Sequence, residues 1–176
     1  EGAVAPGDEY GESVSAGGDL NGDGYRDFVV GAHYNDEAGY DTGKVFVYFG
    51  GPTPDNVADL AIEGYSSSGQ FGHTLIGAGD LDGDGWDDLA VGAMYDATGG
   101  GGAGRVYIFR GGPAFDGTPD ITLAPPASGR WFGHALCAAD LTGDGQLDLV
   151  VSDPHDTTVG PDAGRVYVYA CGPGFD

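Results

Sequence analysis

The sequence predicts an all-β protein made of β-propeller blades, and three observations support this prediction. An Asp-rich nonapeptide occurs three times, beginning at Asp19, Asp80 and Asp140, so the repeat length is about 60 residues. Short runs of Val, Ile, Leu, Tyr and Phe recur at the same places in each repeat and have the composition of β-strands. The 36 glycines and 10 prolines are typical of tight turns between such strands, and no stretch shows helical periodicity.

Each repeat is predicted to contain four strands. A short strand follows an aromatic-glycine pair, and the Asp-rich nonapeptide then leads into a continuous apolar run, which is typical of a strand buried on both faces. The third strand alternates β-branched and aromatic residues, and a weaker fourth strand follows a Gly-Pro turn. The predicted first strands are 13–16, 74–78 and 135–139, the second 28–32, 89–93 and 149–152, the third 43–48, 104–109 and 164–169, and the fourth 58–62 and 121–123.

Four antiparallel strands per repeat are the pattern of a propeller blade. Residues 1–176 are therefore predicted to form one propeller segment, with repeats at approximately 10–63, 71–123 and 132–176. The last repeat lacks an outer strand, and residues 3–6 resemble the end of one. Because propellers close with about four to eight blades, the segment is expected either to belong to a larger ring or to be completed by oligomerisation. In the second case, two chains form a six-bladed homo-oligomeric ring.

The three nonapeptides are predicted to bind calcium. Each has oxygen-bearing side chains at positions 1, 3, 5 and 9, a backbone carbonyl at position 7, and glycines at positions 4 and 6 where the loop reverses. Closely spaced carboxylates repel each other unless a cation neutralises them, and a flexible shell of oxygen ligands suits Ca²⁺. About three ions are expected, one per repeat, and the predicted metal ligands are Asp19, Asn21, Asp23, Tyr25, Asp27, Asp80, Asp82, Asp84, Trp86, Asp88, Asp140, Thr142, Asp144, Gln146 and Asp148.

An EF-hand is excluded as the source of these loops. An EF-hand needs a bidentate Glu at position 12 and flanking helices, whereas position 12 is Val30, Val91 or Val151 within a predicted strand. The ions are expected to be structural, since a two-metal hydrolase needs ions about 3.5–4 Å apart and these loops belong to separate blades. Magnesium is less suitable because it requires strict octahedral geometry and keeps several waters.

The number of carboxylates predicts the order of calcium affinity. The second nonapeptide offers four carboxylates, whereas Asn21 replaces one of them in the first and Thr142 replaces one in the third. The second site is therefore expected to bind calcium most tightly and the third most weakly.

The composition limits the range of possible partners. With 28 acidic and 6 basic residues, the net charge is −22, which argues against binding to nucleic acids or to anionic membranes through a basic face. No apolar run is long enough to cross a bilayer, so membrane insertion is not expected, and no signal peptide is recognisable, as expected of a mature or excised piece. The sequence leaves open whether Cys137 and Cys171 form a disulfide or stay free thiols.

No enzyme motif accompanies the four histidines, so catalytic residues are not expected. His73 and His134 follow the aromatic-glycine pair at equivalent positions, and His33 and His155 end second strands. Their repetition favours a structural or surface role. The basic residues that begin the third strands are expected to pair with nearby carboxylates; they are Lys44, Arg105 and Arg165.

The aromatic-glycine pair and the Gly-Ala that ends the second strand together resemble a known repeat. Tyr10-Gly11 with Gly31-Ala32, and Phe71-Gly72 with Gly92-Ala93, are similar to the FG-GAP repeats of the integrin α-subunit β-propeller and its bacterial relatives. The resemblance covers essentially the whole chain.

The third repeat departs from this pattern. It reads Ser152-Asp153-Pro154 where the others have Gly-Ala, and His33 and Met94 stand where the family usually has proline. Together with Thr142, these departures bear more on the affinity of the third metal site than on the fold.

The resemblance implies a calcium-stabilised binding and adhesion module that is extracellular or on the cell surface, rather than an enzyme. Its ligand is expected to be a protein or a glycan of unknown identity, bound through the variable connections 35–42, 97–103 and 156–163. Two alternatives stay open: the chain is the non-catalytic propeller or the core of a secreted hydrolase, or it is a self-assembling repeat fragment without its own ligand.

Overall fold

The computed structural model describes residues 4–98, 103–125 and 130–175, and these residues contain eleven β-strands and no helix. Every pair of neighbouring strands is antiparallel, which confirms the all-β class. The strands are β1 (Ser13–Gly18), β2 (Asp27–Ala32), β3 (Lys44–Tyr48), β4 (Leu60–Glu63), β5 (Phe71–Gly79), β6 (Asp88–Ala93), β7 (Arg105–Phe109), β8 (Ile121–Leu123), β9 (Leu136–Ala139), β10 (Asp148–Asp153) and β11 (Arg165–Tyr169).

The strands form three sheets in chain order, which confirms the predicted blades. The sheets of β1 to β4 and of β5 to β8 are four-stranded, and the described part of the third sheet, β9 to β11, is three-stranded. The three blades do not close a ring. The suggested outer-strand stump at 3–6 begins outside the described residues, and Val4 and Ala5 form no strand. Because such a stump needs the edge of another blade, its role stays a prediction.

The strand boundaries lie within two residues of the predicted ones, with one exception. β5 begins at Phe71, three residues earlier than predicted, because Phe71 pairs with Ala93 of β6 across an irregularity in the ladder. Phe71 also forms a parallel bridge with Gly43 of the first blade. The aromatic-glycine pair is therefore part of the strand and of the junction between blades.

The hydrophobic core lies between successive blades. Leu89 and Val91 of β6 pack with Val45 of the first blade, whereas Ala90 between them packs with Leu149 of the third. Alternate side chains of a strand point to opposite faces of the sheet. The continuous apolar run therefore reflects a strand that is buried between two neighbouring blades.

The aromatic-glycine pair of one blade packs against the Gly-Ala of the preceding blade without room for a side chain. A Cβ atom on Gly31 would lie 2.2 Å from the carbonyl oxygen of Gly72, and a Cβ on Gly92 would lie 2.2 Å from that of Gly133. The two halves of the repeat motif thus meet at the junction between blades.

The third blade has a different register at its first strand. β1 and β5 are irregular just before they end at Gly18 and Gly79, both of which have a positive φ. In β9 the equivalent residue is Ala139, which pairs with Asp148 without any irregularity. The left-handed conformation is inexpensive only for glycine, so alanine favours regular pairing at this position.

The two end blades expose apolar side chains whose equivalents in the middle of the segment are buried. Leu20 and Leu81 are fully buried by the following blade, whereas the equivalent Leu141 is 56% exposed. Val166 of β11 and Val14 of β1 are 60% and 66% exposed at the two ends. Both end faces therefore resemble interior blade surfaces that lack their neighbour.

Candidate metal centre

The three Asp-rich nonapeptides connect the first and second strands of each blade. Their position-1 carboxylates accept backbone N–H groups from within the same loop: Asp80 Oδ1 from Gly83 N at 2.7 Å, and Asp80 Oδ2 from Gly85 N at 2.9 Å. Asp19 and Asp140 accept the corresponding position-6 N–H groups at 2.9 and 3.0 Å. These loops are called the first loop (19–27), the second loop (80–88) and the third loop (140–148).

The position-9 aspartates fasten the loops to the sheet. Asp88 is fully buried; its Oδ2 accepts the N–H of Leu81 at 2.8 Å, and its Oδ1 accepts the N–H of Gly111 at 2.9 Å. Asp27 makes the equivalent bonds with Leu20 and Gly50. Each carboxylate oxygen has further acceptor capacity, so these bonds are compatible with a metal.

The second loop brings carboxylates together closely enough to share a cation. Asp80, Asp82 and Asp88 each offer an oxygen, and these oxygens lie within 4.8 Å of one another. The other two loops show no group of three carboxylates this close in the part of the chain that the structure describes. An all-oxygen, negatively charged donor set fits Ca²⁺.

Burial, assisted by repulsion between carboxylates, raises the pKa of Asp27 in the first loop and of Asp82 and Asp88 in the second. Burial raises the pKa of Asp88 to about 6, despite the opposing hydrogen bonds from Gly111 and Leu81. Burial, and then repulsion by Asp84, raise the pKa of Asp82. The loops therefore hold negative charge at a cost, which a bound cation would relieve.

Arg110 is a site residue that the sequence reasoning missed. Its Nε lies 2.9 Å from Asp82 Oδ2, and its Nη2 donates to the carbonyl oxygen of Phe175 at 2.6 Å. The guanidinium therefore contacts Asp82, a predicted metal ligand of the second loop, and also contacts the C-terminal segment. The equivalent positions of the other repeats are occupied by Phe49 and Ala170. The sequence signal for this contact was therefore that a basic residue follows the third strand in the second repeat alone.

The first and second loops also contact the blade that follows each of them. The N–H of Gly112 donates to Leu20 O at 2.8 Å, and the N–H of Gly172 donates to Leu81 O at 2.6 Å. Asp87 Oδ2 accepts the N–H of Asp19 at 2.9 Å, so the second loop also caps the first. A glycine followed by a proline recurs after each third strand, and this repetition was the sequence signal for the junction.

The remaining predicted ligands lie in their loops but are not drawn together as tightly. Asn21 Oδ1 accepts the N–H of Asp23 at 2.9 Å, and Thr142 is exposed. The position-7 residues donate their N–H groups to the position-5 carboxylates at 2.8 to 3.0 Å. Their carbonyl ligation stays a prediction, as does the affinity order; the position-7 residues are Tyr25, Trp86 and Gln146.

The basic residues at the starts of the third strands pair with carboxylates, as expected. Lys44 Nζ contacts Glu37 and lies 2.6 Å from Glu63 Oε1. Arg105 Nε and Arg165 Nε lie 3.8 and 3.6 Å from the carboxylates at the start of the preceding connection. These ion pairs lie at the end of the blades opposite the Asp-rich loops.

Three histidines form a row across the blades at this same end, an arrangement that sequence reasoning did not predict. The ring centroids of His33 and His73 are 5.3 Å apart, and those of His73 and His134 are 5.5 Å apart. Glu9 and Glu12 lie beside His33. Burial lowers the pKa of His33 and of His73, which favours their neutral forms.

The two cysteines are free thiols. Cys137 is exposed, and Cys171 Sγ donates to Tyr169 O at 3.3 Å. The disulfide that the sequence left open is therefore not formed in this structure.

Comparison with known proteins identifies the repeat. Residues 10–48 match the FG-GAP repeat, and residues 80–151 match the FG-GAP-like repeat. The chain is an FG-GAP repeat protein. The residues of the FG-GAP motif therefore form the junctions between its blades.

Proteins of two kinds are similar to most of this chain. Integrin alpha-PS2 of Drosophila melanogaster is 39% identical over 161 residues, which cover 82% of this chain and 11% of that protein. Phosphatidylinositol-glycan-specific phospholipase D of Rattus norvegicus is 37% identical over 170 residues, covering 89% of this chain and 20% of the relative. Human integrin alpha-IIb is 35% identical over 152 residues, covering 81% and 14%.

The chain thus spans a tenth to a fifth of the length of these curated relatives. Within residues 4–98, 103–125 and 130–175, no helix is long and apolar enough to cross a membrane.

Proposed function

We propose that the chain is a calcium-stabilised binding module in which each FG-GAP loop holds one Ca²⁺. The observation that carries this proposal is the convergence of Asp80, Asp82 and Asp88 within 4.8 Å in a loop that also hydrogen-bonds to the next blade. The ion neutralises the carboxylates and fixes the loop at the blade junction. Its role is structural, and the chain's own residues supply no catalytic step.

Binding of an external protein or glycan ligand is proposed for the opposite end of the blades. The connections 35–42, 97–103 and 156–163 join second to third strands and vary in sequence, although 99–102 lie outside the described residues. The similarity to integrin alpha subunits supports an adhesion role at an extracellular or cell-surface location. Neither nucleic acid nor membrane insertion has a part in this proposal.

Thermal unfolding tests the calcium proposal. We expect the melting temperature to rise in Ca²⁺ relative to chelator, because a site at 100 times its Kd contributes about 2.7 kcal/mol. Asp80→Asn should remove the part of this rise that comes from the second loop, whereas Asp55→Asn, at an exposed carboxylate in the connection between β3 and β4, should leave the whole rise intact. An equal calcium response in both variants would contradict the assignment of the site.

The similarity to a phospholipase D supports a second candidate, in which the blades belong to a secreted hydrolase. In this case, catalysis resides in a separate domain of the hydrolase. The chain alone should not release a phosphatidylinositol-glycan-anchored protein from vesicles, with or without Ca²⁺; release that depends on its own residues would overturn the structural role of the loops.

The exposed end faces support completion of the ring by further blades, either from a longer chain or from a second copy. Light scattering on the chain at micromolar concentration separates these cases. A mass of twice 17.8 kDa supports the six-bladed dimer, and a monomer with intact β structure removes it.

A further inference from the structure

A second acidic group lies at the end of the first blade that is opposite the calcium loops, and it contains an imidazole. His33 Nε2 lies 3.6 Å from Glu9 Oε2, and His33 Nδ1 lies 3.7 Å from Glu12 Oε2. One ligand atom from each of the three residues falls within 4.8 Å of the others. These distances exceed those of hydrogen bonds and leave space between the donors.

His33 is the informative member because it is only 4% exposed. Its imidazole makes no hydrogen bond with any described residue and faces only the two carboxylates at ion-pair distance. Neither ring nitrogen is committed to a hydrogen bond with a described residue, so one of them can bind a ligand. Glu9 and Glu12 are about half exposed, which leaves the group open to solvent on one side.

The backbone holds the three side chains in place. The N–H of Gly11 donates to Gly31 O at 2.9 Å, which ties the segment before β1 to the end of β2. The N–H of Glu12 donates to Glu9 O at 3.2 Å, and Glu9 has a φ of 52°. A positive φ is uncommon for a residue other than glycine, and here it belongs to a turn that brings both glutamates to the same imidazole.

His73 provides a further nitrogen close to the group. Its Nδ1 is buried and has no hydrogen-bond partner, and its ring centroid is 5.3 Å from that of His33. The group and its surroundings therefore offer imidazole nitrogens as well as carboxylate oxygens. Such a mixed nitrogen and oxygen donor set is unsuited to Ca²⁺, which takes oxygen ligands, and suits Zn²⁺ and similar transition metals.

We propose that Glu9, Glu12 and His33 form a site for a divalent transition metal such as Zn²⁺, separate from the calcium loops. Metal binding satisfies the buried imidazole and neutralises the adjacent glutamates. Because the site lies on the side of the variable connections, the ion would join the segment before β1 to the end of β2 close to the surface proposed for ligand binding.

Zinc titration by calorimetry in saturating Ca²⁺ tests the proposal, with Co²⁺ absorption in the visible region as an independent readout of nitrogen and oxygen ligation. We expect one Zn²⁺ per chain in addition to the calcium ions. Glu12→Gln and His33→Asn should each lower the zinc affinity by at least about 10–100-fold, since even outer-shell changes have effects of this size. His155→Ala, at a histidine of the third blade outside this group, is the matched control and should bind zinc normally.

Three results would overturn the proposal: no zinc binding by the unaltered protein, equal affinity in Glu12→Gln and the unaltered protein, or a loss in His155→Ala as large as that in His33→Asn. Glu12 is half exposed, so Glu12→Gln should fold normally. The test therefore stands even if replacement of the buried His33 unfolds the first blade.

Discussion

At the scale of single residues, the position-9 aspartates combine two roles. Asp88 accepts hydrogen bonds from both the loop and the turn after β7 and also faces Asp80 and Asp82. The hydrogen bonds favour the carboxylate, whereas burial favours the acid, and burial dominates because the pKa is raised to about 6. A bound cation would extend the range in which the carboxylate is the favoured form to pH values below about 6.

This balance predicts a pH dependence that calcium reverses. In the calcium-free protein, the folded pKa of Asp88 exceeds its ordinary value of 3.8. Its contribution to stability is then complete below pH about 4 and is lost as the pH rises through about 6. Calcium binding needs the carboxylate, so affinity at the second loop should fall below pH about 6. Calorimetry at pH 7.5 and 5.5 checks this expectation, and equal affinities at the two values would contradict it.

Arg110 should weaken calcium binding at the second loop. Its guanidinium lies 2.9 Å from Asp82 and competes with the ion for that carboxylate. Because the pair is partly exposed, Arg110→Ala should raise the calcium affinity of the second site by only about 2–5-fold, which corresponds to an exposed ion pair. Arg130→Ala removes the same charge from an exposed position and should have a smaller effect. A lower affinity in Arg110→Ala would show that Arg110 instead supports the loop.

At the scale of the element, sequence reasoning succeeded wherever one residue type determined the structure. The apolar runs predicted β2, β6 and β10. The register of β9 was not predicted, although Ala139 in place of Gly18 and Gly79 was its signal. The group formed by Glu9 and His33 could not be predicted, because it depends on the turn before β1.

One methyl group added at the blade junction should have a large effect on the stability of the protein. Gly92→Ala should destabilise the protein by about 1–3 kcal/mol through overpacking, since its Cβ would lie 2.2 Å from Gly133 O. Gly160→Ala is the control, because a Cβ there meets nothing within 4 Å. Urea unfolding of both variants measures the difference, and equal stabilities would mean that the junction adjusts freely.

At the scale of the whole molecule, the two end faces are notable because they expose apolar strand residues to solvent. Val166 and Val168 are 60% and 57% exposed, whereas the equivalent residues of the first two blades are buried. An apolar strand face of this kind is normally covered by the next blade, as Val45 is in the first blade. A further blade on either face would pack in the same way that joins the three blades of this chain.

If the isolated chain associates, Val166→Glu should abolish the association. A charge on this face opposes burial against another blade, whereas Val159→Glu, on an exposed connection, should not change the mass. Light scattering of the two variants compares them directly. Association that survives Val166→Glu would show that copies meet through another surface.

The central claim is that the three loops bind calcium, and anomalous diffraction from crystals grown in millimolar Ca²⁺ tests it most directly. We predict one anomalous peak in each loop, at about 2.3–2.6 Å from carboxylate oxygens, with Asp80, Asp82 and Asp88 among the ligands of the second. Loops that keep their internal hydrogen bonds but show no anomalous density at that calcium concentration would contradict the account.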